Sequence, residues 1–109
     1  MMTYEEAKKL LGNRETKKLV HRTVLYKDDQ ENYCIQYWNT VVVRITPKNH
    51  YIISHGGYNT PTTKRRIENY SSARIRQRNW SWEIFDRKRD SWIDYSYLLV
   101  ELDADGFLL

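Results

Sequence analysis

The strongest constraint on this chain's fold is a period of two. From Lys17 to Ser54 it runs in short alternating stretches broken by turn-forming residues. Leu19, His21, Thr23 and Leu25 alternate with Val20, Arg22, Val24 and Tyr26. The polar stretch from Lys27 to Asn32 leads into Tyr33–Trp38. Asn39-Thr40 reverses the chain into Val41–Thr46, and Pro47-Lys48-Asn49 turns it into His50–Ser54. Successive strand side chains point to opposite faces, so this pattern predicts half-buried strands, and polar turns between them predict an antiparallel meander. Val41, Val43 and Ile45 are expected on the core face, with Val42, Arg44 and Thr46 behind it.

Helical signals flank the meander. Thr3-Tyr4-Glu5-Glu6 matches a capping box, Ala7, Leu10 and Leu11 make a narrow apolar face, and Gly12 suits a helix end. This predicts a helix over 3–12. Thr60 as N-cap with Pro61 at the first helical position predicts a second over 60–71, with Ile67 and Tyr70 facing the sheet. Residues 73–95 read as an aromatic β-hairpin. Ala73, Ile75 and Gln77 oppose Arg74, Arg76 and Arg78, a turn at Arg78-Asn79 leads into Trp80–Phe85, and Trp92–Tyr95 follows a polar loop. Residues 96–109 form an acidic, apolar tail expected to be pinned to the core or to a partner subunit. The expected class is α+β in one domain of 109 residues. Its antiparallel sheet has about six to seven short strands, with a short N-terminal helix and one helix after the fourth strand.

Composition removes several functions. No run approaches the ~20 apolar residues of a membrane span, and the acidic start lacks a signal-peptide core. Cys34 is the only cysteine, which fits a reducing cytoplasm, and its place in an alternating run reads as a small buried hydrophobe. The histidines, His21, His50 and His55, occur without any zinc-ligand spacing, so neither metal nor cofactor is expected. No nucleophile-elbow motif appears, and no catalytic residue is assigned. A non-enzymatic role is expected, with His55 the one acid–base candidate. Nine Tyr, four Trp and two Phe, together with the apolar tail, predict a homo-oligomer.

The sharpest chemical clue is the stretch from Ser54 to Arg66. Gly56 and Gly57 allow positive φ, where backbone amides can converge on an anion. Tyr58, Asn59, Thr60, Thr62 and Thr63 add a ring, an amide and hydroxyls, and Lys64, Arg65 and Arg66 supply charge at a helix start. The plainer account is a tight strand-to-helix connection. A second basic cluster comprises Arg74, Arg76 and Arg78 with Arg87, Lys88 and Arg89. Residues 64–90 carry nine cations against four acids, whereas 91–109 carry four acids and no cation. That asymmetry suits an anionic ligand or a head-to-tail contact.

Asn39-Thr40-Val41-Val42-Val43 resembles an N-T-x-V-V element. Ser54 followed by Gly56-Gly57-Tyr58-Asn59-Thr60-Pro61-Thr62-Thr63-Lys64-Arg65-Arg66-Ile67 resembles S-G-G-W/Y-x-T-x-T-T-K-x-R-I-N, with His55 inserted and Glu68-Asn69 standing where the pattern has Asn alone. Trp80-Ser81-Trp82 resembles a late aromatic run, with Asn79 at its glycine position. Over roughly residues 17–85 the chain is thus similar to a family of small bacteriophage proteins. The resemblance implies a phage setting in the host bacterium's cytoplasm, not a particular reaction. Two functions follow as expectations. One is a binder of a phosphate-bearing, nucleotide-like ligand that sequesters a signal against host defence, using Gly56–Arg66. The other is an interaction protein that meets nucleic acid or a nucleoprotein defence complex through the arginine face.

Overall fold

A computed structural model of the chain describes residues 1–79, 81–95 and 99–109. Trp80 and the opening of the tail, residues 96–98, lie outside the described residues. The elements are α1 (Tyr4–Leu11), β1 (Thr16–Val20), β2 (Thr23–Lys27), β3 (Tyr33–Tyr37), β4 (Thr40–Ile45), β5 (Tyr51–Ile53), α2 (Pro61–Tyr70), β6 (Ile75–Arg78), β7 (Ser81–Asp86), β8 (Ser91–Asp94) and β9 (Val100–Leu102). They form a six-stranded antiparallel sheet in the order β1-β2-β3-β4-β5-β9 and a three-stranded one in the order β6-β7-β8. The expected α+β antiparallel class is therefore observed, with both helices in place. Among the described residues no helix is long and apolar enough to cross a membrane.

Alternation gives the larger sheet one buried face. In register across it lie Leu25, Ile35, Val43 and Ile53, and beside them Tyr33, Ile45, Tyr51 and Leu102, all buried. The other face carries Tyr26, Gln36, Arg44, Ile52 and Glu101, all part-exposed. Two details depart from the sequence reading. The run from Lys17 to Tyr26 is a hairpin, not one strand, because the chain reverses at His21-Arg22 with Arg22 at φ 56°. The helix after the fourth apolar run is consequently the helix after β5. A bulge in the β3–β4 pairing, where Ile35 meets Val43 but Gln36 meets Val41, inserts Val42 as an extra residue. Val42 is fully buried and Val41 is not, the reverse of strict alternation.

Helix α1 is too short to persist alone. Its capping box forms as expected, with Thr3 and Glu6 bonding each other's amides. The helix docks through Tyr4, whose N–H donates to Asn49 Oδ1 at 2.9 Å and whose ring meets Tyr33 edge-on at 4.8 Å. Ile67 of α2, Ile75, Trp82 and Ile84 join Ala7, Leu11 and the sheet in one core.

The tail is pinned within the molecule. Strand β9 pairs with β5, the Ser72 hydroxyl donates to Asp103 O at 2.7 Å, and Arg87 donates to Asp105 O at 2.5 Å. His50 Nδ1 lies 3.1 Å from Glu101 Oε2 across the same pairing. The basic middle and the acidic tail thus meet in one chain.

Candidate functional site

Three segments converge on a cavity of about 330 Å³: the β3–β4 turn, the loop after β5 and the first turn of α2. Its walls are Tyr37, Trp38, Asn39, Thr40, Val42, His55, Tyr58, Thr60 and Thr63. The bulge described above puts Val42 in this wall.

Trp38 stands in the left-handed region at φ 55°, a conformation that costs a residue with a bulky side chain about 1–2 kcal/mol. Neighbours hold it there. Its N–H donates to Arg22 O and its carbonyl accepts from Gln36 Nε2, each at 2.9 Å. The Arg22 guanidinium lies over the indole at 4.3 Å, yet 54% of Trp38 remains exposed. Tyr58 is 64% exposed. Two large rings are therefore kept in water on one concave surface.

The glycine loop forms the adjoining wall by close approach. Gly56 takes φ 60°, and a Cβ there would fall 2.6 Å from Thr40 Cγ2, so only glycine fits without displacement. The loop's amides point inward. Gly56 N–H donates to Ser54 Oγ at 3.2 Å, Gly57 N–H to His55 Nδ1 at 2.9 Å, and Tyr58 N–H to His55 O at 2.8 Å. His55 is buried against Trp82 and Tyr95, with ring centroids 5.3 and 5.1 Å away. Burial lowers its pKa below the ordinary 6.5, and an Nδ1 that accepts a hydrogen bond places the ring proton on Nε2. His55 therefore faces the cavity as a neutral imidazole.

Helix α2 starts as read: Thr60 Oγ1 accepts from Thr63 N–H at 3.2 Å and shares a hydrogen bond with the Thr63 hydroxyl at 2.8 Å. The cations that follow disperse, because consecutive helical residues point about 100° apart. Lys64 Nζ pairs with Glu68 Oε1 at 2.7 Å, Arg65 is exposed, and Arg66 Nε donates to Thr23 Oγ1 at 3.0 Å. The Arg66 guanidinium also lies over Tyr37 at 5.4 Å. Of the segment read from sequence, Tyr58, Thr60 and Thr63 line the cavity, and Gly56 closes its loop onto Thr40. Gly57, Asn59, Thr62, Lys64, Arg65 and Arg66 do not line it. The residues not foreseen are Tyr37, Trp38, Asn39, Thr40 and Val42, with Arg22 behind them. The one local sign of them in the sequence is a large indole, Trp38, set directly before the turn residue Asn39.

The second basic cluster lies elsewhere, on the three-stranded sheet. Arg74 sits over Phe85 at 4.9 Å and over Trp92 at 5.7 Å. Arg76 sits over Trp92 at 4.5 Å while its Nε meets Glu83 at 2.7 Å. Arg78 ends β6, exposed. In the β7–β8 loop, Asp86 accepts from the backbone amides of Lys88 and Arg89, at 3.0 and 3.3 Å, and Arg87 lies over Phe107 at 5.3 Å.

Cys34 is buried beside Asp28, and desolvation together with that carboxylate pushes its thiol up to about 11, so it remains protonated at neutral pH. Among the described residues no group of three or more His, Cys, Asp or Glu side chains is placed to hold a metal ion.

A family model for the Kyanoviridae Gp96 protein matches residues 2–98. No curated protein and no solved structure gives a match.

Proposed function

The chain belongs to the Kyanoviridae Gp96 family of bacteriophage proteins, and we propose that it is a non-enzymatic accessory protein that binds a small nucleotide-like ligand. The observation that carries this reading is the exposure of Trp38 and Tyr58, at 54% and 64%, on one cavity of about 330 Å³. Base–aromatic stacking is worth about 1–3 kcal/mol per base, and the volume falls at the small end of ligand pockets, room for one nucleoside. Asn39, Thr40, Thr60, Thr63 and neutral His55 offer donors and acceptors for the edges of such a ring. Arg22 and Arg66 border the Tyr37–Trp38 wall and supply the phosphate partners that the loop amides, already bonded, do not. In a phage setting, a protein that holds such a ligand unaltered sequesters a nucleotide signal from its host.

The test is calorimetric titration with mono-, di- and cyclic nucleotides, each recovered afterwards by chromatography. At least one should bind, return unchanged, and lose binding to a Trp38→Ala variant. Silence across the whole panel overturns the ligand class, and a chemically altered nucleotide overturns the non-enzymatic role.

A further inference from the structure

We infer that the outer face of the three-stranded sheet is a second binding surface, built for single-stranded nucleic acid and separate from the cavity. The register sorts that sheet into two faces. Ile75, Ile84 and Ile93 align on the inner one, with Trp82 beside them. Arg76 opposite Glu83, and Phe85 opposite Trp92, align on the outer one. Phe85 and Trp92 meet edge to face at 5.3 Å, and the guanidiniums of Arg74 and Arg76 lie across them. Arg78 continues the line at one end of β6.

This layering has a chemical direction. A guanidinium stacked on an aromatic ring is held flat, and its free side is a cationic plane on which a nucleobase can stack. Arg74, Arg76 and Arg78 repeat the charge along one side of the face, with Phe85 and Trp92 paired beside one end of that row, and the same charges attract the phosphates. Two carboxylates share the face: Glu83 is paired with Arg76, and exposed Asp94 lies opposite Glu83 in register, so Arg74 and Arg78, on either side of that row, carry the attraction for phosphate. The face is one side of a three-stranded sheet, and a duplex hides the base planes that such a surface would contact. A single strand exposes them.

The experiment uses the full chain with fluorescein-labelled oligonucleotides of about 12 residues, long enough for a sheet-sized footprint. They are DNA and RNA, single-stranded and duplex, and are titrated by anisotropy. Single strands should bind at low salt and weaken at least about tenfold between roughly 50 and 200 mM salt, as counterion release requires. An Arg74→Lys, Arg76→Lys double variant keeps every charge but loses the planar groups. It should bind about tenfold more weakly, the loss of about one stacked base. Trp38→Ala should leave this binding unchanged, which separates it from the cavity. No anisotropy change at low salt, duplex bound as tightly as single strand, or undiminished binding by a folded lysine variant would each overturn the inference.

Discussion

Arg22 and Arg76 each lie over a tryptophan at nearly the same distance, 4.3 Å for Trp38 and 4.5 Å for Trp92. The two pairs nevertheless sit on different backbones. Trp92 lies in a regular strand, half-buried, with Phe85 against its ring. Trp38 occupies a left-handed turn position and keeps more than half its surface in water. A pair that relaxes its backbone and covers its ring contributes to stability. A pair that strains the backbone and exposes the ring works against the fold, which is why the proposed ligand is assigned to it. The same cation–aromatic chemistry thus rests on a relaxed, half-covered ring in one region and on a strained, open one in the other.

Substitution at the two tryptophans separates these roles most sharply. Trp92→Ala removes a packed indole and should cost roughly 2–3 kcal/mol in urea denaturation; a loss below about 0.5 kcal/mol would make Trp92 a surface residue and dissolve the contrast. Gly56→Ala forces a Cβ against Thr40 at positive φ. It should cost about 1–2 kcal/mol and open the cavity wall; unchanged stability together with unchanged nucleotide binding would show that the wall does not depend on that approach. Trp38→Gly releases the left-handed strain and should leave stability level or raise it by up to about 1 kcal/mol. A clear loss of stability would place Trp38 with Trp92 as a packing residue.

The smallest expected effect is a pH dependence confined to the cavity side. Burial holds the His55 pKa below the unfolded value near 6.5, so the unfolded chain binds the proton more readily. The contribution of neutral His55 is therefore complete above that value and declines as the pH falls through it toward the lower folded pKa. Protonation also removes the acceptor for Gly57 N–H. Melting temperatures compared at successive pH values should fall more for the wild type than for His55→Gln. Parallel curves would remove His55 from the account.

Features set by local chemistry were legible before the structure. The Thr3–Glu6 capping box, the Thr60-Pro61 helix start and the reversal at Arg78-Asn79 each depend on residues within a few positions. The β1–β2 hairpin was hidden because His21-Arg22 carries no glycine or asparagine to mark a turn, and Arg22 is held at positive φ by its surroundings. The bulge that buries Val42 is a property of the β3–β4 pairing, invisible in either strand alone. Lys64, Arg65 and Arg66 looked convergent only because they are adjacent in sequence, and helical rotation sends them to different partners. The cavity could not be read from one segment at all, since its walls come from Tyr37–Val42 and His55–Thr63 together.

Strands β5 and β9 are neighbours in the larger sheet, yet α2 and all of the three-stranded sheet lie between them in sequence. Joining them closes the longest loop in either sheet, and its entropy opposes the step until the intervening elements have compacted. The order of assembly follows. Contact separation predicts that the β1–β5 meander forms first from local hairpins, that the inserted sheet gathers next, and that the tail strand arrives last. In that interval β5 is an open edge beside the segment that leads to the cavity, ready to pair with an extended strand of another molecule. The tail thus acts as the fold's own late competitor for that edge, and the rate at which it docks sets how long a newly made chain is open to mispairing.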